Sequence, residues 1–199
     1  MGHRLLEQMT SPIPASVRCA FVIATVVFAA ATVMARTSAA STDSWNADLA
    51  PTGVCANADD AVASAPAKRH AITCLVNWAR ARHTAHALAP SRPLRKAALL
   101  KGRRVASCGV LTHAPCGSDP LAEVRATGFP FSVFGEDLWA GPMNESARGV
   151  VAGWLASPSH RAILLRPGFR FFGAGLASAP GFLGNPDGAV WVATFASRR

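Results

Sequence analysis

Residues 169–196 read FRFFGAGLASAPGFLGNPDGAVWVATFA. Phe169 to Ser178 and Ala189 to Ala196 alternate and contain aromatic and β-branched residues, as strands do. The Gly, Pro, Asn and Asp residues between Pro180 and Gly188 supply a turn region. Upstream, the pattern is helical. Ile72, Leu75, Val76 and Ala79 make one apolar face of a helix expected over 67–87, which Ala89-Pro90-Ser91-Arg92-Pro93 breaks. A second helix is expected over 94–107, with Gly109 ending it. Asp119-Pro120 starts a short third helix that Gly128 closes. Asn144 can cap a fourth, whose stripe is Ala147, Val150, Val151, Trp154 and Leu155 and which Pro158 stops. Four helices followed by strands predict an α+β fold with helices packed on an antiparallel sheet.

The chain has 199 residues, 50% of them hydrophobic and 16% charged, which suits one cored domain plus a targeting segment. From Cys19 to Ala35 no charge occurs, and Arg18 and Arg36 bracket the run. Residues 1–40 are therefore expected to be a signal peptide or a signal-anchor, with Val33-Met34-Ala35 and Ser38-Ala39-Ala40 as cleavage-like sites. Residues 41–66, rich in Ala, Ser, Thr, Asp and Pro, are expected to be a linker tethered near Cys55, and 67–199 the folded domain. All of this puts the domain outside the cytoplasm, either secreted or anchored at the membrane.

Cysteine usage agrees with export. Cys55, Cys74, Cys108 and Cys116 leave an even set in the expected domain. Of three possible connectivities, the local one, Cys55–Cys74 with Cys108–Cys116, is the simplest. No CxxC pair suggests a zinc knuckle. Net charge is +9, which favours anionic surfaces such as cell wall or lipid headgroups. The second helix carries Arg95, Lys96, Lys101, Arg103 and Arg104 without interleaved aromatic residues. That is a solvated face rather than a specific nucleic-acid surface.

Three polar segments stand out: Leu111-Thr112-His113-Ala114-Pro115 between two cysteines, Gly135-Glu136-Asp137-Leu138, and Ser157-Pro158-Ser159-His160-Arg161 past a helix end. One carboxylate and two imidazoles on loops could converge to bind a divalent cation or move a proton. His70, His83 and His86 fall in or near the first helix, as on a solvated face. No GxSxG or HExxH occurs, and Gly173-Ala174-Gly175 lies in a strand pattern and does not continue as GxGxxG.

In this order the segments resemble the bacterial branch of the CAP superfamily (cysteine-rich secretory proteins, antigen 5, pathogenesis-related 1). Residues 74–80, CLVNWAR, look like its Leu-Leu-Asn-x-x-Arg motif. Leu111-Thr112-His113 looks like Phe-Ser-His, Gly135-Glu136-Asp137 like Gly-Glu-Asn, and residues 154–161, WLASPSHR, like Trp-x-x-Ser-Pro-Gly-His-Arg. The resemblance covers residues 70–197 and implies an α-β-α sandwich with a central antiparallel sheet. It also implies a cleft lined by two histidines and two acidic residues, of which His113, Glu136 and His160 match three. Eukaryotic relatives place the other Glu where Ser157 stands, so the full set is not expected here. Asp137 replaces the family Asn and Ser159 a Gly. Function is expected to be binding of a small apolar or peptide ligand in the cleft, with His113 and His160 as weak divalent-cation (zinc) ligands and no certain cofactor. Catalysis is not expected; the alternatives are a metal-assisted hydrolase and a cationic wall-associated protein.

Overall fold

The computed structural model of the chain describes residues 45–198. The hydrophobic segment Cys19–Ala35 and its cleavage-like sites lie outside them. Among the described residues no helix is long and apolar enough to cross a membrane. In chain order the elements are α1 (Ala65–Arg82), β1 (Ala89–Pro90), α2 (Arg92–Cys108), α3 (Ala122–Ala126), β2 (Phe131–Pro142), α4 (Ala147–Ala156), α5 (Pro158–Leu164), β3 (Phe171–Ser178) and β4 (Gly188–Arg198).

Local chemistry accounts for the helix ends. Ser64 caps α1 by accepting from the Ala67 N–H, and Ser91 caps α2 by accepting from the Leu94 N–H. Gly109, at φ 72°, closes α2 in the left-handed region. α1 stops at Arg82 rather than Ala87, because Thr84 takes φ 52° and the Ala85 N–H returns to the Arg80 carbonyl. Asn144 is not the cap of α4; Ser146 accepts from Gly149 N–H at 3.0 Å instead. Pro158 ends α4 and also opens α5, where its missing N–H has no helical acceptor to lose.

The expectation of four helices followed by strands needs one correction. β2, a full-length strand, lies between α3 and α4. Its sequence, FSVFGEDLWAGP, does not alternate cleanly because helices cover both of its faces, and such strands lose the polar-out signal. The sheet order is β1-β3-β4-β2. β4 sits in the middle, antiparallel to both β3 and β2, while β1 adds two residues in parallel at Phe171 and Phe172.

Side chains of β4 alternate between two cores. Trp191, Ala193 and Phe195 join α1, α4 and Leu164 of α5 on one face. Val190, Val192 and Ala196 meet α2 on the other, with Val124 of α3 beside Ala196. This is an α+β fold, an α-β-α sandwich. Residues 45–58 pack on the first core through Ala50, Cys55 and Ala58, with Trp45 and Leu49 alongside.

Both expected disulfides are present, Cys55–Cys74 and Cys108–Cys116, with Cα separations of 5.7 and 5.6 Å. The family-like motif on α1 holds backbone. Asn77 accepts from Leu88 N–H at 2.8 Å and donates to its carbonyl at 3.2 Å. Arg80 is fully buried and donates to the carbonyls of His86, Leu164, Arg166 and Phe169. Burial, with Arg170 nearby, lowers its pKa to about 10, so it stays charged at neutral pH.

α2 lies unusually close to β3. A Cβ on Gly173 would meet Arg95 N at 2.2 Å, and one on Gly175 would meet the Ala98 carbonyl carbon at 2.5 Å. Both obstacles are helix backbone, which cannot swing aside. Gly175→Val is expected to destabilise the domain by roughly 1–3 kcal/mol or more through overpacking. Gly168→Ala, where a Cβ meets nothing within 4 Å, is the matched control. Chemical denaturation of the two variants checks this, and equal midpoints would contradict it.

Candidate functional site

The site is built around Lys101. The expectation of a solvated basic face on α2 fails at this residue, which is 1% exposed. Leu94, Ala97, Ala98, Lys101, Gly102 and Val105 form the buried stripe of the helix. Lys101 Nζ donates to the carbonyls of His113 at 2.6 Å and Pro120 at 3.0 Å. It also pairs with Glu123 at 2.9 Å and lies 3.9 Å from Glu136 Oε1. The Cys108–Cys116 disulfide closes the same loop from the other side. Ammonium and disulfide together fix the backbone that presents His113.

His113 Nδ1 lies 2.9 Å from Glu136 Oε1. The imidazole is half exposed and the carboxylate is 6% exposed. With Nδ1–H donating to the carboxylate, neutral His113 keeps its Nε2 lone pair free. Glu136 is on β2, a strand and not the loop expected, paired with Thr194 of β4. Burial raises its carboxyl above the usual range, against the opposing pull of His113 and Lys101.

His160 is on α5, again not on a loop. Burial lowers its pKa, with the nearby His113 adding to the effect. Its Nδ1 is buried and has no hydrogen-bond partner. His113, Glu136 and His160 therefore share one electrostatic neighbourhood, with a direct bond between the first two.

A second carboxylate is present, at a position that sequence reasoning missed. Ser157 does not supply it; its hydroxyl lies 3.2 Å from Ser159 Oγ. Glu123 does, from α3. It is 4% exposed, paired with Lys101 and, at 3.2 Å, with Arg104, and its charge bears on Glu136. These contacts are ion pairs at charge distance rather than aligned hydrogen bonds, since neither Glu123 oxygen has a hydrogen-bond partner of good geometry. The signal for Glu123 was Lys101: a lysine on an apolar stripe requires a buried acid.

For a divalent cation the candidate donors are the imidazoles of His113 and His160, the first in contact with Glu136 through Nδ1. Among the described residues no three His, Cys, Asp or Glu side chains form a group able to hold a metal ion. Two imidazoles fall short of the three protein ligands usual for catalytic zinc. The other described histidines lie elsewhere. His83 contacts Asp48 at 2.9 Å beyond the end of α1, and His70 lies on α1.

Helices on both faces of a sheet whose β2 carboxylate orients a loop imidazole define the CAP domain class. The chain belongs to the cysteine-rich secretory protein family, which it matches over residues 73–195. Its fold is similar to an extracellular SCP-domain protein of Bacillus anthracis (22% identity, TM-score 0.54, 67% of this chain and 41% of that one). It is similar also to an outer surface protein of Borrelia burgdorferi (20%, TM-score 0.56, 64% and 90%). A cysteine-rich secretory protein of Staphylococcus aureus is a third (14%, TM-score 0.55, 69% and 40%). The chain thus spans less than half of the first and third of these proteins. A search of the curated proteins finds no significant match.

Asp137, beside Glu136, is fully buried, and neither of its oxygens has a hydrogen-bond partner. Burial, with the neighbouring Glu136 charge, pushes its carboxyl up to about 8. An unfolded chain ionises an aspartate near 3.9. Between these values the folded state holds the extra proton, so stability falls as pH rises from about 4 to about 8. Asp137→Asn is expected to add roughly 1–3 kcal/mol at pH 8 and little at about pH 4. Urea denaturation at both pH values tests this; the same shift at both would show that Asp137 does not titrate between them.

Proposed function

We infer that this chain is an exported binding domain. Residues 1–40 act as a signal peptide or signal-anchor, 41–66 as a disulfide-tethered lead-in, and 67–199 as the CAP domain. The two disulfides support export, as does the likeness to an extracellular and an outer surface protein. The domain holds a small apolar or peptide ligand beside His113 and His160, with a divalent cation bound weakly between the imidazoles.

One observation carries the binding reading. Among the described residues the only carboxylate within hydrogen-bond reach of His113 is Glu136, which is already committed to that imidazole and buried beside Lys101. It orients His113 and is poorly placed to take a proton from water as a general base. Glu123 is neutralised by Lys101 and Arg104. Val110 and Leu111, exposed just before His113, give the same loop an apolar contact surface next to a polar one.

Zinc binding by the purified chain is expected to be weak and to disappear in His113→Ala and His160→Ala. Turnover of peptide and ester substrates is expected to stay at background in all three proteins, with or without zinc. Turnover in the parent that is lost in both folded variants would replace this reading with a metal-assisted hydrolase. Salt-sensitive retention on cell envelopes, unchanged in both variants, would instead assign the function to the cationic surface.

A further inference from the structure

β3 has an outer edge that the sheet leaves open. The Ala179 N–H bonds to the Gly188 carbonyl of β4, which sets odd-numbered backbone groups toward β4. Even-numbered groups point the other way. Phe172 uses its outward carbonyl on the Ser91 N–H at 2.8 Å, and there β1 ends. The outward N–H and C=O of Ala174 and Leu176 come next, and no described group bonds to them. Ala174 is 5% and Leu176 9% exposed. Backbone N–H and C=O groups without a protein partner pair with water or with an added chain.

Three hollows adjoin along this edge. One of about 740 Å³ touches Phe172 to Ala174, one of about 590 Å³ touches Ala174 to Leu176, and one of about 560 Å³ touches Leu176 and Ser178. Together they follow roughly 20 Å of strand, the length of a short peptide in extended form. Arg69 of α1 and Arg92 and Arg95 of α2 line both of the first two hollows, and no acidic residue lines either. Among the described residues no carboxylate pairs with these three guanidiniums. Arg69 and Arg95 are close enough that Arg95 helps to lower the Arg69 pKa, burial being the larger cause. Like charges held together over an unpaired backbone edge call for an anionic partner that also carries amides.

We propose that the β3 edge takes up an extended acidic peptide segment of another protein, which adds as a strand beside Ala174 and Leu176 while its carboxylates pair with Arg69, Arg92 and Arg95. Main-chain pairing would supply affinity, and the arginines would supply the preference for acid. A second copy of this chain is a poorer occupant, because edge-to-edge pairing would bring two arginine clusters together. The edge lies apart from His113 and His160, so the inference stands independently of the function assigned to them.

The test uses the full chain and a fluorescent, degenerate library of acidic eight-residue peptides, followed by the best binder synthesised singly. That peptide is expected to bind and to weaken about tenfold or more when alternate backbone amides are N-methylated. A similar loss is expected in Arg92→Glu and in Arg69→Glu, while a lysine-for-acid version of the peptide does not bind. His113→Ala is expected to bind normally. Circular dichroism and denaturation confirm that the arginine variants fold. Failure of every acidic peptide to bind would overturn the proposal. Indifference to N-methylation would overturn it in favour of plain charge attraction. Concentration-dependent dimerisation abolished by Arg92→Glu would overturn it in favour of self-pairing.

Discussion

Taking an ammonium or guanidinium out of water costs several kcal/mol unless acceptors surround it. The two long helices each carry such a group on their buried faces. Lys68 and Arg80 lie on α1 and Lys101 on α2, and all three are 3% exposed or less. Their acceptors are largely backbone carbonyls. Lys68 holds Met143 and Glu145, with its Nζ 5.4 Å from the Trp191 ring. Arg80 holds the chain between Leu164 and Phe169, and Lys101 holds the chain between His113 and Pro120. The irregular segments thus owe their paths to fixed cations. Removing one cation would strand several carbonyls at once, a larger loss than one hydrogen bond.

This arrangement gives the family-like motifs a physical sense. Asn77 and Arg80 recur at helical spacing because both reach across to loop backbone, Asn77 to Leu88 and Arg80 to the chain after α5. Arg161, in the histidine motif, likewise donates to the Leu155 carbonyl at 2.8 Å and fastens the α4–α5 corner. These polar residues shape the scaffold. His113 and Glu136, by contrast, bond to each other, and the imidazole stays half exposed.

Much of the molecule was legible in the sequence, and its errors share a cause. Helices α1 to α4 and strands β3 and β4 follow from periodicity and turn residues, the disulfide pairs from local pairing of an even cysteine set, and the meeting of His113 with Glu136 from motif order. β2 was missed because burial on both faces erases alternation, and two consecutive acids made Glu136 and Asp137 look like loop. α5 was missed because Pro158 was taken only as a stop. Lys101 and Glu123 were hidden because composition treats lysine and glutamate as surface residues. The apolar stripe from Leu94 to Val105 already placed Lys101 inward. Each miss is a place where tertiary context overrides a local rule, and these places cluster around the site.

The central position of β4 has a consequence for how the molecule is made. β2 pairs with β4 from Phe131–Arg198 to Pro142–Gly188, and β3 pairs with the same strand from its other side. Neither core can close until the last strand is available, since Val190, Trp191, Val192 and Phe195 lie at its heart. A chain still being synthesised therefore lacks the piece that joins its two halves, and its long-range pairing is delayed. All four bridged cysteines, Cys55, Cys74, Cys108 and Cys116, precede β4 in the chain, so the partners of both disulfides are made before the strand that completes the cores.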